Sequence, residues 1–170
     1  MKINIAPLEF SNQDLLAKLK TTLTQVLKQE VDFIDLEIDL QKYYSSERGQ
    51  YYSTKIIEDV SKITVQNDKI VILVNVDLYI PIFTFVFGEA QLNGNISIVS
   101  ICRLHEEFYD LKPNQELLFR RTLKEVIHEL GHNFGLIHCK DWNCVMHSSM
   151  GVEEVDIKSY EFCKTCRSNL

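Results

Sequence analysis

HELGHNFGLIHC, residues 128–139, decides how the rest of this 170-residue chain is read. His128 and His132 are four residues apart, which on an α-helix places them one turn apart and only about 40° around the axis. Two imidazoles on one face can converge on a zinc ion at about 2.0–2.1 Å. Glu129 sits beside that pair and is not part of it. There a carboxylate takes the proton of a water that the metal activates, so the pattern points to metal-assisted hydrolysis. Gly135 follows His132 by three residues and permits a left-handed exit from the helix. A turn at that point brings His138 back as a third ligand.

Working upstream, the spacing predicts one helix over residues 114–134. Phe119, Leu123, Val126, Ile127, Leu130 and Phe134 form its apolar stripe. With Leu123 at 0°, His128 and His132 fall at about 140° and 180°, on the face away from the stripe. They are therefore not expected to be packed core histidines, which leaves metal ligands or solvated surface side chains. Downstream, Met146 lies eight residues after His138. A soft, adaptable thioether suits a place beneath three imidazoles, and Met150 is the competing candidate. Four of the five cysteines form two short pairs, Cys139-x4-Cys144 and Cys163-x2-Cys166. Both spacings suit a closed, tetrahedral four-cysteine zinc site of structural type. Cys102 is expected inside an apolar strand as a small buried hydrophobe.

The first hundred residues read differently. KINIAPLEF (2–10) alternates and predicts a strand, then Ser11 or Asn12 caps a helix to about Gln29. VDFIDLEIDL (31–40) predicts a second strand, residues 53–63 a shorter helix, and KIVILVNVD (69–77) a central strand buried on both faces. Residues 83–89 and 96–102 predict two more strands around a turn at Asn93-Gly94-Asn95. Strand-helix alternation gives parallel βαβ units, and the short turn makes the last pair antiparallel. A last helix is expected near residues 159–167. The segment after the long helix has too little periodic structure for its own core and is expected to need metal.

Composition narrows the partners. The chain has 18 Lys plus Arg against 24 Asp plus Glu, a net charge of −6. That sign disfavours nucleic acid or an anionic membrane as the main partner. The N-terminus carries no apolar leader, and the longest apolar run is far too short to span a bilayer. A soluble, cytoplasmic, monomeric protein is expected.

The string His128-Glu129-x-x-His132-x-x-Gly135-x-x-His138 carries the metzincin signature. With Cys139, Cys144, Met146, Cys163 and Cys166 at their spacings, residues 128–166 resemble the archaemetzincin family of zinc metalloproteases. Asp77-Leu78-Tyr79 and Phe85-Val86-Phe87-Gly88-Glu89-Ala90 also look like family segments. The resemblance implies an α/β (α+β) metzincin-type zincin fold: a twisted, mixed five-stranded sheet, four strands parallel and one edge antiparallel, with two long helices. It implies two Zn2+ per chain, one catalytic and one held by the cysteines, in a single domain over 1–170 with subdomains 1–135 and 136–170. Where other metzincins often have an acid after the third histidine, this chain has Cys139. Where astacin-like enzymes have a ligating Tyr after the Met-turn, it has Ser148, so no tyrosine switch is expected, and His147 reads as a surface residue. The expected reaction is peptide-bond hydrolysis with Glu129 as general base and Met146 in the Met-turn. Phe87, Gly88, Glu89 and Ala90 are expected to form the substrate-binding edge for a peptide or protein. The alternative is a zinc-binding regulatory or peptide-binding module with little or no turnover.

Overall fold

The computed structural model describes residues 2–64 and 68–170. Its elements are β1 (Ile3–Pro7), α1 (Gln13–Leu27), β2 (Val31–Phe33), β3 (Tyr44–Ser45), β4 (Gln50–Tyr52), α2 (Ser53–Ile63), β5 (Lys69–Val74), β6 (Leu78–Tyr79), β7 (Gly88–Ala90), β8 (Ile96–Ser100), α3 (Gln115–Asn133), α4 (Val152–Ile157) and α5 (Lys164–Arg167). Short 3-10 turns lie at Leu40–Tyr43, Cys102–Leu104 and Glu106–Tyr109.

Five strands form one sheet in the order β2-β1-β5-β8-β7. All neighbours are parallel except β7, which runs antiparallel to β8 at one edge. Side chains alternate across a strand, and both faces of β5 are covered. Val71 and Leu73 point into the core shared with α1 and α3, while Ile70, Ile72 and Val74 pack with Ile56, Ile57 and Val60 of α2. A second, three-stranded sheet, β3-β4-β6, lies apart from the first.

Asn12 caps α1 by accepting from the Leu15 amide, and Asn114 caps α3 by accepting from Leu117. The stripe Phe119, Leu123, Val126, Ile127, Leu130 packs on the sheet with Leu15, Leu16, Leu19 and Leu23 of α1. The opposite face of α3 is also buried, because residues 136–170 fold over it and add Leu136, Val145, Met146, Val152, Val155 and Phe162 to the same core. No helix among the described residues is long and apolar enough to cross a membrane.

Several expectations are corrected in detail. The strand expected over 31–40 pairs only at Val31–Phe33. Pro7 ends β1, so no partner strand continues beside Ile34, Leu36 and Ile38, which pack on the α2-side core as irregular chain. Only Gly88–Ala90 of the segment 83–89 joins the large sheet. Cys102 lies past the end of β8 in a 3-10 turn and is half-buried. In the C-terminal segment the helices fall at Val152–Ile157 and Lys164–Arg167, not over 159–167 as one piece.

Candidate active site and metal centres

The end of α3 builds the first centre. Gly135 takes φ +93, the left-handed region. The Leu136 amide donates to Gly131 O and the Gly135 amide to His132 O, the paired bonds of a Schellman cap. This reverses the chain and returns His138 to the helix face that carries His128 and His132. Their ring centroids lie 4.7, 4.9 and 5.3 Å apart. Each helical imidazole is fixed from behind: His128 Nδ1 lies 2.8 Å from Val145 O, and His132 Nδ1 2.7 Å from Leu136 O. A carbonyl behind Nδ1 keeps the proton there and leaves Nε2 as the ligand atom. The two Nε2 atoms stand 3.1 Å apart, close to the ~3.3 Å edge of a tetrahedron with zinc–nitrogen bonds of about 2.0–2.1 Å. Burial lowers the pKa of all three histidines, His128 the most, so the neutral ligand form is favoured. His138 is exposed, so one side of the triad stays open.

Glu129 is 5 % exposed. Its carboxylate lies against the edge strand: a Cβ at Gly88 would come within 2.7 Å of Glu129 Oε1 and 2.8 Å of its Cγ. Gly88 is thus needed for space, not for a turn. Burial first, and the neighbouring Glu125 second, raise the Glu129 pKa well above the usual carboxylate range. In front of Glu129 and the three histidines runs a cleft of about 620 Å³. Its walls are residues 83–90 on one side and Ser148, Ser149 and Met150 on the other.

Met146 is fully buried beneath this site, and a Cβ at Gly131 would collide with its Sδ. Met150 is 71 % exposed on the cleft rim. Of the two, Met146 is the one buried against the helix, its thioether pressed on the backbone at Gly131 between the two histidines.

Cys139, Cys144, Cys163 and Cys166 converge at a second point. Cys139 Sγ and Cys163 Sγ are 3.8 Å apart, the edge expected of a tetrahedron with zinc–sulfur bonds of about 2.3 Å. Amide donation from Cys166 lowers the Cys163 thiol to about 7, while burial pushes Cys144 and Cys166 up. The donor set and spacing fit a closed zinc site, as the three histidines, with the Nε2 atoms of His128 and His132 3.1 Å apart, fit an open one.

The sequence-predicted residues fall as follows. His128, Glu129, His132 and His138 meet at the cleft, and the four cysteines meet behind it. Phe87, Gly88 and Ala90 border the cleft near Glu129. Glu89 contributes backbone there, while its carboxylate accepts from the Ser53 and Thr54 hydroxyls at the start of α2. His128 is buried, which sets aside the alternative of a solvated surface histidine. His147 is half-buried, stacked on Trp142 with centroids 4.1 Å apart, and its Nδ1 lies 2.9 Å from Cys139 O.

A row of charged residues was missed. Arg121 forks onto Asp156 at 2.7 and 2.8 Å and reaches Glu106 at 2.7 Å. Lys124 Nζ donates to the carbonyls of Val155 and Asp156. Lys158, 2 % exposed, lies 2.9 Å from Glu125 Oε1 and donates to His147 O. Their signal was present in the sequence: 121, 124, 125, 128 and 132 share one helical face.

A model of peptidase family M54 matches residues 12–170. The archaemetzincin of Methanocaldococcus jannaschii is 38% identical over 170 residues, covering 100% of this chain and 93% of its own. That of Pyrococcus horikoshii is 41% identical over 138 residues, covering 78% and 73%. Among solved structures, an archaemetzincin from Archaeoglobus fulgidus, complexed with malonate, aligns over 100% of both chains with a TM-score of 0.86 and 34% identity. A zinc-dependent peptidase from Methanocorpusculum labreanum aligns over 98% of both with a TM-score of 0.90 and 29% identity.

Proposed function

This chain belongs to peptidase family M54 and is a zinc metallopeptidase, and we propose that His128, His132 and His138 hold its catalytic zinc with Glu129 as general base. The observation that carries the proposal is the convergence of three histidines, two of them fixed through Nδ1, beside a buried carboxylate in an open cleft. Zinc held there supplies a Lewis acid that makes water a nucleophile near neutral pH and polarises the scissile carbonyl. Glu129, with its raised proton affinity, accepts the proton from the attacking water and passes it to the leaving amine. The free edge of β7 pairs with the backbone of an extended peptide or protein substrate, with Phe87, Gly88, Glu89 and Ala90 beside the scissile bond. A second, structural zinc at Cys139, Cys144, Cys163 and Cys166 braces His138 through the adjoining peptide bond, giving two ions per chain.

One chain supplies every residue of this site, so a monomer suffices. The chain is one catalytic domain over 1–170, in which 1–135 carry the sheet and helices and 136–170 the Met-turn and cysteine site. A reducing compartment such as the cytoplasm suits a site of four thiolates.

Glu129→Gln tests the role of the carboxylate. The variant should keep the zinc content and fold of the parent and lose about 10²–10⁴-fold in peptide hydrolysis. Full activity in Glu129→Gln would overturn the assignment. A zinc-loaded parent that binds peptides without cleaving them would favour a binding module.

A further inference from the structure

The cleft wall over residues 83–87 lies outside the regular sheet, and its backbone meets strands at the Leu78–Val86 bridge and at Phe87 O, which accepts from the Ser100 amide of β8. Between and before these points, side chains from three other places hold it. Arg48 Nη2 donates to Phe83 O at 2.6 Å and to Thr84 O at 3.2 Å. Gln50 Nε2 donates to Thr84 O and to Asp77 Oδ2, both at 2.9 Å. Arg103 forks onto Asp77 at 2.6 and 2.7 Å, and its guanidinium lies 4.1 Å from the Phe85 ring centre and 4.8 Å from that of Phe108.

Gln50 is 5 % exposed, so its amide is committed to these two acceptors. A planar guanidinium that forks and stacks at once has one orientation available, unlike an ammonium. The network therefore fixes the wall in place. Phe85 and Phe87 project from it at 5.2 Å, edge to face, next to Gly88 and the Glu129 carboxylate. An unsupported loop would have to be ordered by each substrate, at about 0.5–1.5 kcal/mol for each immobilised side chain.

We propose that Arg48, Gln50, Asp77 and Arg103 are positioning residues that preorganise the 83–87 wall for an extended peptide. They act on peptide binding and leave the proton chemistry at Glu129 alone. The proposal rests on the peptidase reading of the cleft.

The test uses two zinc-binding probes on the zinc-loaded full chain. Acetohydroxamate reaches only the metal, whereas a tripeptide hydroxamate also lies along the wall. In Gln50→Leu and in Arg103→Leu, the tripeptide hydroxamate should bind about tenfold more weakly, ~1.4 kcal/mol, and acetohydroxamate equally well. KM for a cleaved peptide should rise by a similar factor, with kcat within about twofold. Arg103→Lys should rescue little, since it restores charge without fork or stack. Arg48→Met, at an exposed position, removes the two carbonyl bonds together with the Nε bond to Gln50 Oε1 and the stacking on Tyr79, and serves if Gln50→Leu does not fold. Unchanged tripeptide binding, or equal weakening of both probes, would overturn the proposal. If neither probe binds the parent protein, the peptidase reading fails and takes this proposal with it.

Discussion

On the sheet side of α3, Phe119, Leu123, Val126, Ile127 and Leu130 press on strands and on α1 without a single directional bond among those side chains. On the other side, Arg121, Lys124 and Glu125 grip Asp156, two carbonyls of α4 and Lys158, and His128 meets Val145 O. Apolar contact scales with area and tolerates small sliding. Forked and charge-assisted bonds do not, because their geometry is narrow. The first face makes the protein stable. The second sets the rotation of the helix against residues 145–158, and in the catalytic role proposed for this site an error near 1 Å would cost about 100-fold in rate.

The largest effect is expected where the second face meets its metal. Cys166→Ser opens the four-thiolate shell and leaves Cys139 to its amide bond with Met146 O and its carbonyl contact with His147 Nδ1. His138 is then free to wander. Activity should fall about 100-fold, and the histidine-site zinc should pass more readily to a chelator. A Cys166→Ser protein that loses one zinc yet keeps full activity would break the link between the two centres.

A pair of substitutions then separates the faces. Lys158→Met strands the buried Glu125 carboxylate and should cost about 3–5 kcal/mol. Ile127→Ala leaves a cavity and should cost about 2–5 kcal/mol. Stability alone hardly tells them apart. Zinc affinity in the folded protein should, with Lys158→Met weakened and Ile127→Ala close to the parent. Competition with a chelator at matched folded fraction reads this, and equal affinities would mean that the polar row is only more core.

The smallest effect is one of acidity. Burial holds the histidine pKa values below the ordinary 6.5, so the unfolded chain takes up protons first. With both metals chelated, the histidine contribution to stability is fully present above about pH 6.5 and is lost as pH falls below it, by at most ~1.4 kcal/mol per pH unit for each histidine, while Glu129, with its raised pKa, contributes the opposite slope. Ile127→Ala should shift the melting curve down equally at pH 7 and pH 5, as inputs to one titration. His128→Phe should flatten the slope. A pH profile of melting temperature that His128→Phe leaves unchanged would contradict the assignment.

The parallel sheet, α3 and the gathering of the histidines and of the cysteines were legible because each is written in short-range spacing: KIVILV buried on two faces, histidines at i, i+4, cysteines in knuckles. What escaped depends on distant chain. Ile34, Leu36 and Ile38 alternate like a strand, but alternation reports one buried face and not a partner. Thr84, Phe85, Val86 and Phe87 are rich in strand-forming residues, yet the Thr84 carbonyl is taken by the side chains of Arg48 and Gln50, and only Val86 and Phe87 bond to strand backbone. Arg121, Lys124 and Glu125 share the histidine face of α3, but nothing local says that Asp156 and Lys158 will meet them there. Val152 and Val155 were too short a pattern to announce α4.

The direct bond between His138 and Cys139 also has a bearing on timing. Synthesis runs from the N-terminus, so His128, Glu129, His132 and His138 exist while Cys163 and Cys166 are still unmade. With the cysteine site in the role proposed for it, the nascent hydrolase stays slack until translation has passed residue 166. A peptidase is thereby kept from working on its neighbours, or on itself, before the chain can fold. Ribosome-stalled chains released before Cys163 should lack peptidase activity even in excess zinc.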